Sequence, residues 1–233
     1  MKAKFGAIVV AGRGKIGGHV ASRNRAGSYF RTKVTPVNPQ STAQTTVRNR
    51  FGGLSSFWRG LTSDQLAAWN AAVGDFAKTD IFGDLRNPTG AQLFQRLNNN
   101  LLACGEPQID TPPLVTAVDA FTSIELTAED GTVTESLSLV IAPAVGTDHL
   151  VKVYATPPLS AGISFVKSEY RLVDIMPADQ ASPYDALTAY QAVFGSTGAA
   201  GQKIFMKCIQ VEQASGLAGV PIATSAIVTV SAA

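Results

Sequence analysis

The chain has 233 residues, of which 45% are hydrophobic and 15% are charged, so it can bury a sizeable core beneath a charge-poor surface. The net charge of +2 hides an asymmetry: residues 1–60 contain eleven Lys or Arg and no acid, and the remainder carries eight basic and seventeen acidic residues. We expect neither a transmembrane helix, since no run of about 18 apolar residues occurs, nor a signal peptide.

Residues 4–34 are predicted to form two or three short strands or an extended arm, because short apolar runs alternate there with glycines and basic side chains. A segment this polar and glycine-rich buries little by itself, so we expect it to become ordered against a partner. The predicted partner-binding residues are the cations of this arm and of the helix that follows: Arg13, Lys15, Arg23, Arg25, Arg31, Lys33, Arg48 and Arg50.

A glycine pattern at Gly12, Gly14 and Gly17 follows an apolar run, as in a dinucleotide-binding turn. That motif requires a helix directly after it and an acidic residue about 20 positions further on. Here the next segment is short and flanked by glycine, and the first acidic residue is Asp64. The pattern therefore does not predict a nucleotide site, and the chain contains no phosphate-binding loop of the GxxxxGK[ST] type.

Two helices are predicted after a proline corner at residues 36–39. Ser41 or Thr42 can cap the first helix, and a capping box formed by Thr62 and Gln65 begins the second. We expect the two tryptophans to pack in one small helical core, with stacking on a base or sugar as the alternative. The predicted apolar faces are Val47, Phe51, Leu54 and Trp58 on the first helix and Leu66, Trp69, Val73 and Phe76 on the second.

A third helix is predicted between Thr89, which caps its start, and Gly105, which ends it. Residues 98–100 are three consecutive asparagines, which is unusual inside a helix. We interpret them either as a solvated face or as an amide-rich contact with another subunit. The side chains expected to face inward are Leu93, Phe94, Leu97 and Leu101.

Pro107, Pro112 and Pro113 mark a linker, after which apolar residues recur with the period of two that is typical of strands. Asp130-Gly131 predicts a hairpin turn. A set of seven short strands favours an immunoglobulin or fibronectin type III sandwich, and the absence of a Cys–Trp–Cys pattern favours the fibronectin-like form. The predicted strands are 120–127, 133–142, 149–155, 164–175, 186–194, 203–212 and 222–231.

The predicted fold class is therefore α+β, with two domains. Residues 1–105 would form the basic extended or β-stranded arm and a small three-helix region that serves assembly. Residues 115–233 would form an antiparallel β-sandwich, most of which acts as scaffold.

No catalytic constellation is present in the sequence. The chain has two histidines, His19 and His149, and nothing places either beside a nucleophile and an acid. A zinc site would need more ligands, so Cys104 and Cys208 are predicted to be free thiols. The turn at residues 129–130 lacks the further oxygen ligands of a calcium loop. We therefore expect no enzymatic activity, no metal and no cofactor.

The stretch from residue 31 to residue 73 carries a family resemblance. It reads Arg31-x-Lys33-Val34-x-Pro36-x-Asn38-Pro39-x-Ser41-x-x-Gln44, with Arg48, then Trp58-Arg59-x-Leu61-Thr62 and Ala67-Ala68-Trp69-Asn70. This pattern resembles an uncharacterised family of tailed-phage and prophage proteins, and the block from Thr89 to Asn98 is similar to the next block of that family. The resemblance covers roughly residues 1–105 and implies a virion-associated structural protein with no known active site.

Three functions follow, in this order. The first is a non-enzymatic bacteriophage virion protein, made in the host cytoplasm, whose basic arm and helices bind copies of itself and other virion proteins of the capsid, neck or tail. The second is a protein that binds nucleic acid through the basic arm. The third is a carbohydrate-binding surface module, which the lack of tryptophan after residue 115 disfavours. No membrane partner is expected, and the sequence determines neither the position in the particle nor the stoichiometry.

Overall fold

The computed structural model describes residues 2–3, 12–131 and 134–231 and has the α+β class predicted from the sequence. Residue contacts divide the chain into two compact units. Unit 1 comprises residues 1–49 and 77–87, and unit 2 comprises residues 50–76 and 88–233. These limits differ from the two predicted domains because the helices beyond residue 50 group with the β-rich segment. Where independently folding domains begin and end stays a prediction.

Unit 1 contains two small antiparallel sheets. In the larger sheet the strands lie in the order β1-β4-β3-β2, and in the smaller one β5 pairs with β6. Two of the three predicted strand segments coincide with β3 and β4, and the first, within residues 4–11, lies outside the described residues. The strands are β1 (Lys2–Ala3), β2 (Gly14–Ile16), β3 (His19–Asn24), β4 (Gly27–Thr32), β5 (Lys78–Thr79) and β6 (Leu85–Arg86).

The Gly17-Gly18 turn joins β2 to β3, so this glycine pattern forms a hairpin. Gly17 has a φ of +55°, the left-handed conformation that two-residue hairpin turns require. At the next turn the N–H of Ala26 donates to Asn24 Oδ1 at 2.9 Å. Short turns therefore fix the register of β2, β3 and β4.

Four helices lie within the described residues: α1 (Thr42–Gly60), α2 (Ser63–Ala71), α3 (Gly90–Cys104) and α4 (Leu187–Phe194), with a 3₁₀ turn at Ala72–Gly74 after α2. Both predicted capping boxes are confirmed: Thr62 with Gln65 begins α2, and Thr89 with Gln92 begins α3. Gly105 ends α3 with a φ of +83°, as its position after the last apolar residue predicted.

The helices of unit 2 share a small apolar core in which Trp69 is fully buried. Its ring meets Phe94 edge-on at 5.3 Å between centroids, and its Nε1–H donates to the carbonyl of Asp110 at 2.8 Å. The predicted core position of Trp69 is therefore confirmed and a stacking role for this ring is wrong. The predicted face of α1 is confirmed at Leu54, whereas Val47 and Phe51 are exposed.

The three asparagines of α3 have partners in their own chain. Asn98 is buried and bonds the backbone of Ile109. The side chain of Asn100 donates to the carbonyl of Gly216 at 2.9 Å and accepts from Lys152 Nζ at 2.8 Å. Both earlier interpretations are therefore wrong for Asn98 and Asn100. Lys152 is 5% exposed, and burial lowers the pKa of its ammonium.

The β-rich part of unit 2 contains two antiparallel sheets. One has the order β12-β8-β7, and the other has the order β10-β13-β9-β11, with β14 also paired to β13. Side chains of both sheets enter a single buried apolar cluster. The strands are β7 (Ser123–Glu129), β8 (Ser136–Ala142), β9 (His149–Ala155), β10 (Leu159–Ser160), β11 (Arg171–Met176), β12 (Tyr184–Asp185), β13 (Gln202–Glu212) and β14 (Ile222–Ile227).

Two of the seven predicted strands need correction. Residues 186–194 form α4, because Leu187, Tyr190 and Phe194 recur at helical spacing and the buried Tyr190 donates its hydroxyl to the carbonyl of Thr156 at 2.8 Å. The β-forming side chains of this segment obscured that spacing. The strand predicted at 164–175 begins only at residue 171, and the residues before it are irregular. The hairpin predicted at Asp130-Gly131 connects β7 to β8.

Candidate partner-binding surface

Two of the predicted cations share one face of the larger sheet of unit 1. The register aligns Lys15 of β2, Val20 of β3 and Arg31 of β4 in one row across the strands. Neighbouring side chains in such a row lie on the same face. Lys15 and Arg31 are exposed on either side of the half-buried Val20, so this face combines two positive charges with apolar surface.

Arg23 lies on the opposite face. It pairs with Ser28, in the same alternating set as Ala21 and Phe30. Arg25 is exposed in the turn between β3 and β4. The register therefore divides the arm's cations between the two faces and one edge of the sheet.

The remaining predicted cations lie outside the strands. Arg13 precedes β2, and Lys33 follows β4 with its N–H bonded to the carbonyl of Gly18 at 2.8 Å. On α1, Arg48 donates to Asn38 Oδ1 at 2.6 Å, which ties the extended segment before the helix to its first turns. Arg50 is two residues further along the helix, hence on a different face, and falls within unit 2. The structure thus brings together only Lys15 and Arg31 of the eight cations.

Within the described ranges, none of the eight cations forms an ion pair with a carboxylate. The ion pairs of unit 1 involve other residues: Asp80 meets Lys2 Nζ at 3.2 Å and Arg86 Nε at 3.5 Å. The N–H of Phe82, which donates to Asp80 Oδ1 at 2.8 Å, and the nearby Lys2 lower the pKa of Asp80 to about 2. The predicted partner-binding cations therefore stay available to an external anion.

Unit 1 also leaves apolar side chains in solvent. Among its described residues only Ala21 is buried, and Val37 is 84% exposed. These side chains lie on the sheet, the extended segment, α1 and the β5–β6 hairpin, rather than in one strand. The large exposed apolar residues of unit 1 are Ile16, Val34, Val37, Val47, Ile81, Phe82 and Leu85.

The two units carry opposite net charges. Unit 1 has eleven Lys or Arg and two acidic residues, a formal charge of +9. Unit 2 has eight Lys or Arg and fifteen acidic residues, a formal charge of −7. A partner for unit 1 that matches both its charge and its apolar surface would present acidic side chains around an apolar centre.

Sequence reasoning missed a second group of cations, on β13 of unit 2. Lys207 lies over the rings of Tyr154 and Tyr170, with Nζ 4.9 and 4.5 Å from their centroids, and Lys203 lies 5.0 Å over Phe205. The signal was the alternation Lys203-x-Phe205-x-Lys207 in a strand whose intervening residues are buried. Without strand pairing, nothing in the sequence indicates that Tyr154 lies opposite Lys207.

The described residues contain no group of three His, Cys, Asp or Glu side chains placed to hold a metal ion. No helix in that part of the chain has the length and apolar character needed to cross a membrane.

Comparison of the chain with protein families, with curated proteins and with solved structures finds no match.

Proposed function

We propose that this protein is a non-enzymatic structural component of a bacteriophage virion and that unit 1 is its assembly surface. The observation that carries the assembly role is the exposed apolar surface of unit 1 beside cations that lack carboxylate partners. The placement in a virion rests on the resemblance of residues 31–73 to tailed-phage and prophage proteins. The proposed partners are copies of this chain and other virion proteins.

Unit 1 is poorly suited to stand alone. It has 60 residues, and a domain of about that size is marginally stable even when it has a full core. Here one described apolar side chain is buried, while seven large ones are exposed. Exposed apolar side chains on this scale mark an interaction surface, because burying them against a partner supplies roughly 25 cal/mol per Å². Assembly would therefore supply the core that unit 1 lacks.

The charges favour docking of unit 1 onto an acidic surface, such as unit 2 of a neighbouring copy. Complementary charge orients the encounter and raises its rate, whereas apolar burial supplies most of the affinity. Contact between Lys15, Arg31 and Val20 of one copy and an acidic, partly apolar patch of the next would use both features. This arrangement predicts self-association that survives moderate salt.

For unit 2 we propose the immunoglobulin-like or fibronectin-like sandwich indicated by the sequence. Its support is that the two antiparallel sheets contribute to one buried cluster. Beyond β14, Thr229 exchanges backbone hydrogen bonds with Ala128 and Asp130 of the other sheet, so the last strand connects the edges of both. In the assembled particle such a domain would project from the docked unit 1 or pack against its neighbours.

Nucleic-acid binding through unit 1 is the second candidate, favoured by the eight cations without carboxylate partners. The two candidates differ in salt dependence. On duplex DNA, log affinity falls with log salt with a slope of about −0.9 for each phosphate neutralised. Protein–protein docking that depends mainly on apolar burial loses far less affinity over the same range.

The deciding experiment measures oligomer mass by light scattering and binding to duplex DNA by fluorescence anisotropy, each at about 50 and 200 mM salt. We expect oligomers at both salt concentrations, with no competition by DNA. Ile16→Asp and Val37→Asp should dissociate them, because each places a charge in the apolar surface of unit 1. Leu114→Asp, at an exposed position of unit 2, is the matched control. A monomer that binds DNA tightly at both salt concentrations would overturn the proposal.

The virion assignment has its own test. Particles of a phage or induced prophage that encodes this chain should contain it at a fixed copy number, measured by quantitative mass spectrometry. Absence from purified particles, with the chain present in the cell lysate, would contradict a structural role even if the protein self-associates.

A further inference from the structure

Unit 2 has an open groove of about 510 Å³ on the exposed face of the sheet that contains β13 and β14. The irregular segment 164–170 forms one wall, and β13 and β14 form the floor and the other wall. Three kinds of side chain line it: the aromatic residues Phe165, Tyr170 and Phe205, the cations Lys167 and Lys207, and the hydroxyl residues Ser164, Thr224 and Ser225.

The Lys207 ammonium is held in place by two aromatic rings. Its Nζ lies 4.5 Å from the ring centroid of Tyr170 and 4.9 Å from that of Tyr154, and Tyr154 is its cross-strand neighbour. Contact with two ring faces restricts the flexible lysine stem without neutralising its charge. An anionic group that enters the groove therefore meets a positioned donor.

Phe165 supplies an apolar surface next to this charge. Its side chain is 77% exposed although it lies in the wall of a groove, so most of its ring is free to pack against a ligand. Aromatic faces attract the positively polarised C–H groups of a sugar ring, as they attract other positive edges. Tryptophan, whose absence had argued against sugar binding, is not required for such a contact.

The polar part of the lining is also suited to a saccharide. The Ser164, Thr224 and Ser225 hydroxyls make no hydrogen bond to the described part of the chain, so each can donate to or accept from a sugar hydroxyl. No Asp or Glu lines the groove; the nearby Glu169 lines a separate, smaller cavity beside it. Charge complementarity therefore selects an acidic ligand.

We propose that this groove binds an acidic saccharide, with a sugar ring packed on Phe165 and a carboxylate on Lys207 and Lys167. A second copy's unit 1, at +9, is repelled by these lysines. Nucleic acid is disfavoured because two cations on a unit of charge −7 neutralise few phosphates. An acidic peptide would leave the ring of Phe165 without a flat apolar partner. This inference concerns unit 2 and does not depend on the function proposed for unit 1.

The test is calorimetric titration of the full-length protein with a galacturonate tetramer at about 150 mM salt, beside an uncharged glucose tetramer of equal length. Phe165→Ala and Lys207→Gln should each weaken tetramer binding roughly tenfold, through loss of the apolar platform and of a charged hydrogen bond. The double variant Arg23→Gln with Arg25→Gln controls for non-specific attraction to unit 1. Arg59→Gln is the matched control in unit 2.

The proposal is supported if galacturonate binds more tightly than glucose tetramer and only the groove variants weaken it. It is overturned if the galacturonate tetramer does not bind, or if the Arg23/Arg25 variant abolishes binding while the groove variants retain it. Tighter binding of a poly-Glu peptide or an oligothymidylate, lost in Phe165→Ala and Lys207→Gln, would also overturn it in favour of those ligands. Circular dichroism of each variant excludes loss of fold as the cause.

Discussion

The side chain of Asn98 bonds both backbone groups of Ile109. Asn98 Oδ1 accepts from the Ile109 N–H at 2.7 Å, and Nδ2 donates to the Ile109 carbonyl at 3.1 Å. Nδ2 also donates to the carbonyl of Phe94 at 3.1 Å. A helix side chain thus takes the place of a pairing strand for the segment after α3 and anchors it on the helical core.

The first prediction concerns this anchor. Asn98→Ala should lower the free energy of unfolding by about 2–4 kcal/mol, because it leaves two buried backbone groups of Ile109 without partners. Urea denaturation measures the change. Asn99→Ala, at the neighbouring half-buried position, should change it by at most about 0.5 kcal/mol. Equal effects of the two substitutions would contradict the anchoring role.

The second prediction concerns Trp69, which is 0% exposed. Trp69→Ala should destabilise the protein by about 3–5 kcal/mol, the usual cost of such a cavity. Trp69→Phe keeps an aromatic ring but loses the bond to the carbonyl of Asp110, and should cost about 1–2 kcal/mol for that bond. Thermal or urea unfolding gives both values. An unchanged melting temperature in Trp69→Ala would show that the ring is not in the core.

The third prediction compares two glycines with similar backbone angles. Gly216 has a φ of +70°, and a Cβ there would clash with the carbonyl of Leu97 and lie 2.9 Å from Leu101 Cγ. Gly105 has a φ of +83° with open space around it. Gly105→Ala should cost about 1 kcal/mol of unfolding free energy for the backbone alone, and Gly216→Ala about 2–4 kcal/mol because overpacking is added. Equal losses would refute the close approach of residue 216 to α3.

The fourth prediction concerns the low pKa of Asp80. Its carboxylate accepts from the N–H of Phe82 and from Lys2, so the charged form is favoured in the folded state. Because the folded pKa lies below the ordinary value of 3.8, this stabilisation is present above about pH 4 and is lost as the pH falls towards 2.

Carbon-detected NMR of the Asp80 carboxyl group should show a titration midpoint near 2. Lys2→Gln should raise that midpoint, whereas Lys15→Gln, at an exposed cation of β2, should leave it unchanged. A midpoint near 3.8 in the unmodified protein would contradict the pairing.

The elements that the sequence predicts well are those specified by local signals. The capping boxes at Thr62 and Thr89 and the glycine stop at Gly105 fix helix ends through backbone hydrogen bonds within one turn. α4 was misassigned because Leu187, Tyr190 and Phe194 are residues that also suit strands, and its helical form depends on burial of Tyr190 against the sheets. Tertiary packing decided the conformation there.

The candidate surface shows the same division. Composition alone locates the cations in the first fifty residues. Which of them are neighbours depends on the Gly17 hairpin and on strand register, since a shift of one residue moves every side chain to the other face. The groove beside Lys207 is less accessible still, because it combines residues of three separate segments that only the folded sheet brings together.

The last prediction concerns protection of unit 1 on assembly. Residues 1–35 should be cleaved rapidly by trypsin in the dilute protein and slowly in the assembled form. Arg23, Arg25, Arg31 and Lys33 are exposed, and the strands that carry them bury little apolar surface, so local opening should cost little free energy. Docking would cover these sites and also add the burial that keeps the strands closed.

The measurement is limited proteolysis over a dilution series, with fragments identified by mass spectrometry and oligomer size followed in parallel. Lys203 and Lys207 provide the internal control: they lie in β13, which is paired on both sides, so cleavage there should be slow at every concentration. Protection of residues 1–35 should rise with the oligomer fraction. If those residues are equally resistant in a dilute monomer, unit 1 is stable by itself and the argument that it needs a partner fails.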